Sequence, residues 1–152
     1  MWKISHDAWR RTPVSFPEWF AMPMVEAISM TLPWDIERAG VVSGFVLNIG
    51  GRDPIVDGAP WYLTAQCPWV LSGGGKNVSW DDDDLGDDIV AAVVGRQIVQ
   101  VGALSEDGDE PTFTLSDGFR LVLSPFSDPF PGPDPYWIRV WGTTWSYERK
   151  VS

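Results

Sequence analysis

Three things are scarce in this chain of 152 residues: cysteine, histidine and positive charge. Cys67 is the single cysteine, which excludes an intramolecular disulfide framework and suits a reducing compartment. His6 is the single histidine, so neither a zinc site nor a cysteine–histidine pair finds support in the pattern. Against 21 acidic residues stand 11 lysines and arginines, for a net charge of −10. That sign repels nucleic acid and anionic membrane and favours a basic protein partner. Long apolar runs are also missing. No stretch approaches a membrane span, and the start of the chain (Trp2, Lys3, His6, Arg10, Arg11) lacks the apolar run of a signal peptide. The expectation is a soluble, cytoplasmic protein.

What the chain has instead is 10 Trp, 13 Pro and 15 Gly. Many aromatics with many chain-breakers predict short strands joined by turns rather than long helices. The clearest element is Pro111 to Leu123, a β-hairpin with Asp117-Gly118 at its tip. A two-residue loop would mix polar and apolar residues on both faces. A three-residue loop, Ser116-Asp117-Gly118 with Gly118 left-handed, opposes Leu115 to Phe119 and Phe113 to Leu121. Phe113, Leu115, Phe119, Leu121 and Leu123 then share one face, and Thr112, Thr114, Arg120 and Val122 the other. A slip of one residue would invert both faces, so the three-residue loop is the predicted register.

One domain is expected, of the α+β class and mostly antiparallel β. Residues 1–23 read as an irregular N-terminal arm whose aromatics, Trp2, Trp9, Trp19 and Phe20, pack on the body of the domain. Residues 24–72 read as a first β unit. In it Met24 to Met30 alternates weakly as a strand, Val41 to Ile49 forms a strand ended by Gly50-Gly51, and Trp61 to Ala65 and Trp69 to Leu71 follow. A helix is expected over 84–95, capped by Asp84, with Leu85, Ile89 and Val93 as its apolar stripe and Gly95 closing it. Residues 96–149 form a second β unit, with strands at Gln97 to Leu104, the hairpin, Tyr136 to Trp141 and Trp145 to Tyr147. Two Trp-x7-Trp frames, Trp61 to Trp69 and Trp137 to Trp145, each follow a Pro/Asp/Gly loop and a Phe-x-Leu strand. Their recurrence suggests an internal repeat, two related β units joined by the one short helix.

Catalytic chemistry has little to work with. Carboxylates are numerous, but nothing places two across a cleft, and the basic residues are too scattered to clamp a phosphate. Ser72 to Asn77 (S-G-G-G-K-N) lacks the frame of a phosphate loop and reads as a turn. No catalytic residue, metal ligand or cofactor site is assigned, and the chain is read as a non-enzyme. The acidic run Asp81, Asp82, Asp83, Asp84, Asp87 and Asp88 has three readings: a solvated helix cap, an acidic docking face, or calcium binding. The last fits poorly, because the carboxylates do not alternate toward a distal glutamate. From Asp81 to Asp134 there are 13 acidic residues, with Arg96 and Arg120 alone against them. Trp80 beside this run supplies an apolar anchor, and Glu106, Asp107, Asp109 and Glu110 form a second acidic loop. These eleven residues are the expected partner-binding set.

The run G-R-x-I-x-x-V (Gly95 to Val101), the strand-Ser-Asp-Gly-strand hairpin and the close D-x-Y-W-x-x-x-x-G (Asp134 to Gly142) resemble small bacterial proteins of the polymorphic-toxin immunity type. The resemblance spans Met24 to Trp145, leaves the arm outside, and implies an acidic inhibitor that neutralises a basic toxin by direct contact. The competing expectation is a tryptophan-rich carbohydrate or small-ligand module. It requires the Trp61/Trp69 or the Trp137/Trp141/Trp145 set to point outward.

Overall fold

Among the described residues twelve short strands assemble into two six-stranded antiparallel sheets, and in strands such as Thr112–Leu115, Arg120–Leu123 and Tyr136–Val140 buried residues alternate with less buried ones. A computed structural model describes residues 14–42, 46–82, 90–104, 110–125, 135–146 and 149–151. The first sheet contains β2 (Arg38–Val42), β3 (Val46–Arg52), β4 (Pro60–Ala65), β10 (Tyr136–Val140), β11 (Thr143–Ser146) and β12 (Arg149–Val151), adjacent in that order. The second runs β1 (Trp34–Asp35), β7 (Gln97–Gly102), β8 (Thr112–Leu115), β9 (Arg120–Leu123), β5 (Trp69–Gly73), β6 (Lys76–Ser79). Each half of the chain therefore lays three consecutive strands in one sheet and then crosses to the other. The mostly antiparallel β architecture is as the sequence predicts.

The inner faces share one core. Leu47 and Ile49 from the first sheet meet Leu71, Leu115 and Leu121 from the second, with Val93 between them. The hairpin has the expected register, Phe113↔Leu121, and Leu115 N–H donates to the Phe119 carbonyl at 2.8 Å. Asp117 (φ 64°) adopts the left-handed region together with Gly118 (φ 79°).

Several expectations are corrected. The segment read as an irregular arm contains a helix, α1 (Phe16–Phe20), where Ser15 caps the N–H of Glu18 and donates to its carboxylate at 3.1 Å. Met24 to Met30 is not a strand but helix α2 (Met24–Ser29). Its buried Ala27 and Ile28 stand three and four residues after the partly buried Met24, a helical spacing, and Pro23 presets the entry. With that strand gone, the proposed repeat loses its first member. The strands that open its two Trp frames, β4 and β10, pair side by side, with Thr64 opposite Trp137. Val41 to Ile49 is two strands, since Val41 pairs with Leu47 and Val42 with Val46. β3 continues through Gly50-Gly51 to Arg52. Of the expected 84–95 helix, residues 90–93 are helical, Val93 is buried, and Gly95 (φ 90°) closes the turn. Leu85 and Ile89 lie outside the described residues. Ser72 to Asn77 is a hairpin whose two-residue turn, Gly74-Gly75, needs positive φ at both positions.

Among the described residues no helix is long and apolar enough to cross a membrane.

Candidate functional site

Strand pairing gathers the described members of the acidic set at one end of the second sheet. Across that end, β8, β9, β5 and β6 lie side by side, with Thr112 opposite Val122, Val122 opposite Val70, and Val70 opposite Ser79. One step further out lie Glu110, Ser124, Pro68 and the residues after Ser79. Leu123 N–H donates to the Pro111 carbonyl at 2.9 Å, Ser124 N–H to Pro68 at 2.8 Å, and Trp80 N–H to Trp69 at 3.0 Å. Asp81 and Asp82 thus share an edge with Glu110 three strands away, about 14 Å at the usual strand spacing.

These carboxylates are exposed and locally ordered. Asp82 Oδ2 accepts from the Ser79 backbone N–H at 2.8 Å, and Asp81 Oδ1 accepts from the Ser79 hydroxyl at 2.6 Å. Glu110 Oε2 accepts from the Ser124 hydroxyl. Trp80 is half-buried, with one side packed on the core beside the carboxylates. Asp83, Asp84, Asp87, Asp88, Glu106, Asp107 and Asp109 lie outside the described residues.

The tryptophans answer the competing expectation. Trp61, Trp69, Trp141 and Trp145 are buried, so neither proposed set forms an outward platform, and Trp137 alone among them reaches the surface. Trp141 and Trp145 pack against Trp19 of α1, and Trp61 against Trp34 of β1. Trp19 lies 4.6 Å from Trp141 with the rings tilted and meets Trp145 edge-on at 5.1 Å, while its indole N–H donates to the Ala27 carbonyl at 2.6 Å. Trp34 lies 4.8 Å from Trp61, whose indole donates to the Asp35 carbonyl at 2.8 Å.

Two features escape a reading of the sequence. One is Asp53, a buried carboxylate in the β3–β4 connection. Its Oδ1 accepts from the N–H groups of Ile55 (2.8 Å) and Val56 (3.1 Å), and its carboxylate also takes those of Trp141 and Gly142 in the β10–β11 turn. Burial pushes its pKa up, and the four donors pull it partly back. The residues it clasps, Trp141 (φ 51°) and Gly142 (φ 66°), form a two-residue turn that an alternating pattern reads as strand. The other is a shallow groove of about 400 Å³ on the outer face of the first sheet. Arg38, Asn48, Tyr62, Thr64 and Trp137 surround it, and Gly40 and Gly50 leave its floor without side chains. Its linear trace is polar residues at alternate positions on three consecutive strands and on a fourth, β10, distant in sequence.

Among the described residues no group of three or more His, Cys, Asp or Glu is placed to hold a metal ion. No family model, curated protein or solved structure matches the chain.

Proposed function

We propose that this chain is a non-catalytic binding protein of the immunity type, which neutralises a basic toxin by seating it on the acidic end of the second sheet. The observation that carries the reading is the meeting of Asp81, Asp82 and Glu110 along one sheet end, beside the half-buried ring of Trp80. A one-signed edge on a chain of net charge −10 steers a cationic surface into encounter, and an aromatic beside it supplies contact area. Asp82 also holds the backbone after β6, so Asp81 and Glu110 are the cleaner positions to alter.

The test is co-expression with the protein encoded beside it, followed by association kinetics across a salt series. Asp81→Lys with Glu110→Lys is expected to slow association roughly tenfold while leaving the melting temperature in place. The wild-type rate is expected to fall with salt as the screening length shrinks toward about 8 Å. Absence of a complex at low salt, or a rate indifferent to both charge and salt, overturns the proposal.

We also infer that the two halves are related β units, in a different frame from the tryptophan spacing. β2 to β6 correspond to β7 to β11: three strands in one sheet, a crossing, then a hairpin in the other. The recurrence of that order supports this reading.

A further inference from the structure

The groove on the outer face of the first sheet differs chemically from the rest of the molecule. Pairing sets two rows across it: Arg38, Gly50, Tyr62 and Arg139 in one, Gly40, Asn48, Thr64 and Trp137 in the other. The Arg38 guanidinium lies across Gly50, 3.1 Å from the point where a Cβ there would stand, and the Tyr62 side chain begins 3.3 Å from that point. A side chain at Gly50 would displace it. Among the described residues Arg38 makes no ion pair, because the neighbouring acid, Glu37, is engaged with Arg52 at 3.2 Å. Thr64 donates to Asn48 Oδ1 at 2.7 Å, which commits the amide oxygen and leaves its NH2 as a donor. Among the described residues no carboxylate lines the groove. Its charged and amide groups therefore offer hydrogen bonds, beside the side chains of Tyr62 and Trp137.

From this juxtaposition we propose that the groove binds a small carboxylate carried on a six-membered ring, with Arg38 and the Asn48 NH2 holding the carboxylate and Tyr62 and Trp137 flanking the ring. An arginine fork matches a carboxylate bidentately, and an aromatic face accepts either an aromatic ring or the apolar face of a pyranose. The groove's size is that of a small-molecule site. Arg139, in the same row, donates to Thr144 at 2.9 Å and adds positive charge at the far side. This site is on the opposite sheet from the acidic end and stands or falls separately from it.

Titration calorimetry of the full chain tests it with three probes: glucuronate, 4-hydroxybenzoate and neutral glucose. Saturable binding of glucuronate alone identifies a sugar acid, of 4-hydroxybenzoate alone an aromatic acid, and of both the shared chemistry. Arg38→Gln should weaken binding roughly tenfold or more. Gly40→Val provides a second arm, because a Cβ at Gly40 meets nothing within 4 Å and β-branched residues suit a strand. It should fill the groove and abolish binding with the melting temperature retained. Glucose binding as tightly as glucuronate, no binding of either acid at millimolar concentration, or affinity unchanged in both variants overturns the proposal.

Discussion

Asp53 joins two turns that are 88 residues apart, and its carboxylate does so from within the core. Four backbone N–H groups converge on it, so removing the carboxylate leaves buried donors without partners. Asp53→Ala is expected to cost about 2–5 kcal/mol in urea denaturation, more than an ordinary surface truncation. The pH dependence has a definite sign. Burial raises this carboxyl above its usual 3.8, so the folded state holds its proton at a pH where the unfolded chain has released it. The part of its stabilisation that is linked to this proton is therefore greatest below that ordinary value and is lost as pH rises through the raised one. Denaturation of the wild type and Asp53→Asn from acid to neutral pH checks this: relative to the variant, the wild type should lose stability as pH rises. An opposite trend would mean the four donors outweigh burial. Little in the sequence marks Asp53 out, since its Asp-Pro dipeptide reads as one loop signal among many. The burial of Trp141 is equally illegible, because a spacing rule counts it as the next strand residue while its positive φ turns it off the strand.

Elements were legible where two independent local signals agreed. In the 112–123 hairpin the turn residues and the alternating pattern demand the same register, and the pairing Phe113↔Leu121 has it. Leu121 is buried and Thr114 half-exposed, so Leu121→Ala should cost about 2–5 kcal/mol and Thr114→Ala little. Equal losses in thermal denaturation would contradict the packing. The tip is further held by Arg96, which lies 3.9 Å above the Phe119 ring, donates to the Ala92 carbonyl at 2.6 Å and pairs with Asp117. Asp117 is largely exposed, so its ion pair is screened and adds little, whereas the half-buried guanidinium stacks and packs. Elements were illegible where one signal stood alone. Met24 to Met30 alternates over too few residues to separate strand from helix, and packing on β7 and the Trp19 contact to Ala27 suit the helix. Val41 to Ile49 hides a hairpin because both of its strands are apolar and β-branched.

At the scale of the whole molecule, the charge was legible from composition, but the exchange of strands between sheets was not. It follows from which edges pair, and a linear pattern does not carry that. β4 from the first half pairs with β10 from the second, placing Leu63 against Ile138. β5 pairs with β9, placing Leu71 against Leu121. Neither sheet belongs to one half of the chain. A fragment of residues 1–82 would expose β4 and β5 as unpaired edges bearing Leu63, Trp69 and Leu71, and a fragment of 90–152 would expose β9 and β10 in the same way. Open apolar edges associate nonspecifically, so each fragment alone should be insoluble or molten. Co-expressed, the two can supply each other's missing strands without any covalent link across 83–89. The expected outcome is a soluble one-to-one complex with the circular dichroism of the intact chain, formed when the halves are made together. Cooperative melting of the 90–152 fragment alone would show that the second β unit closes its own core, and that the crossing of strands is not what holds the two sheets face to face.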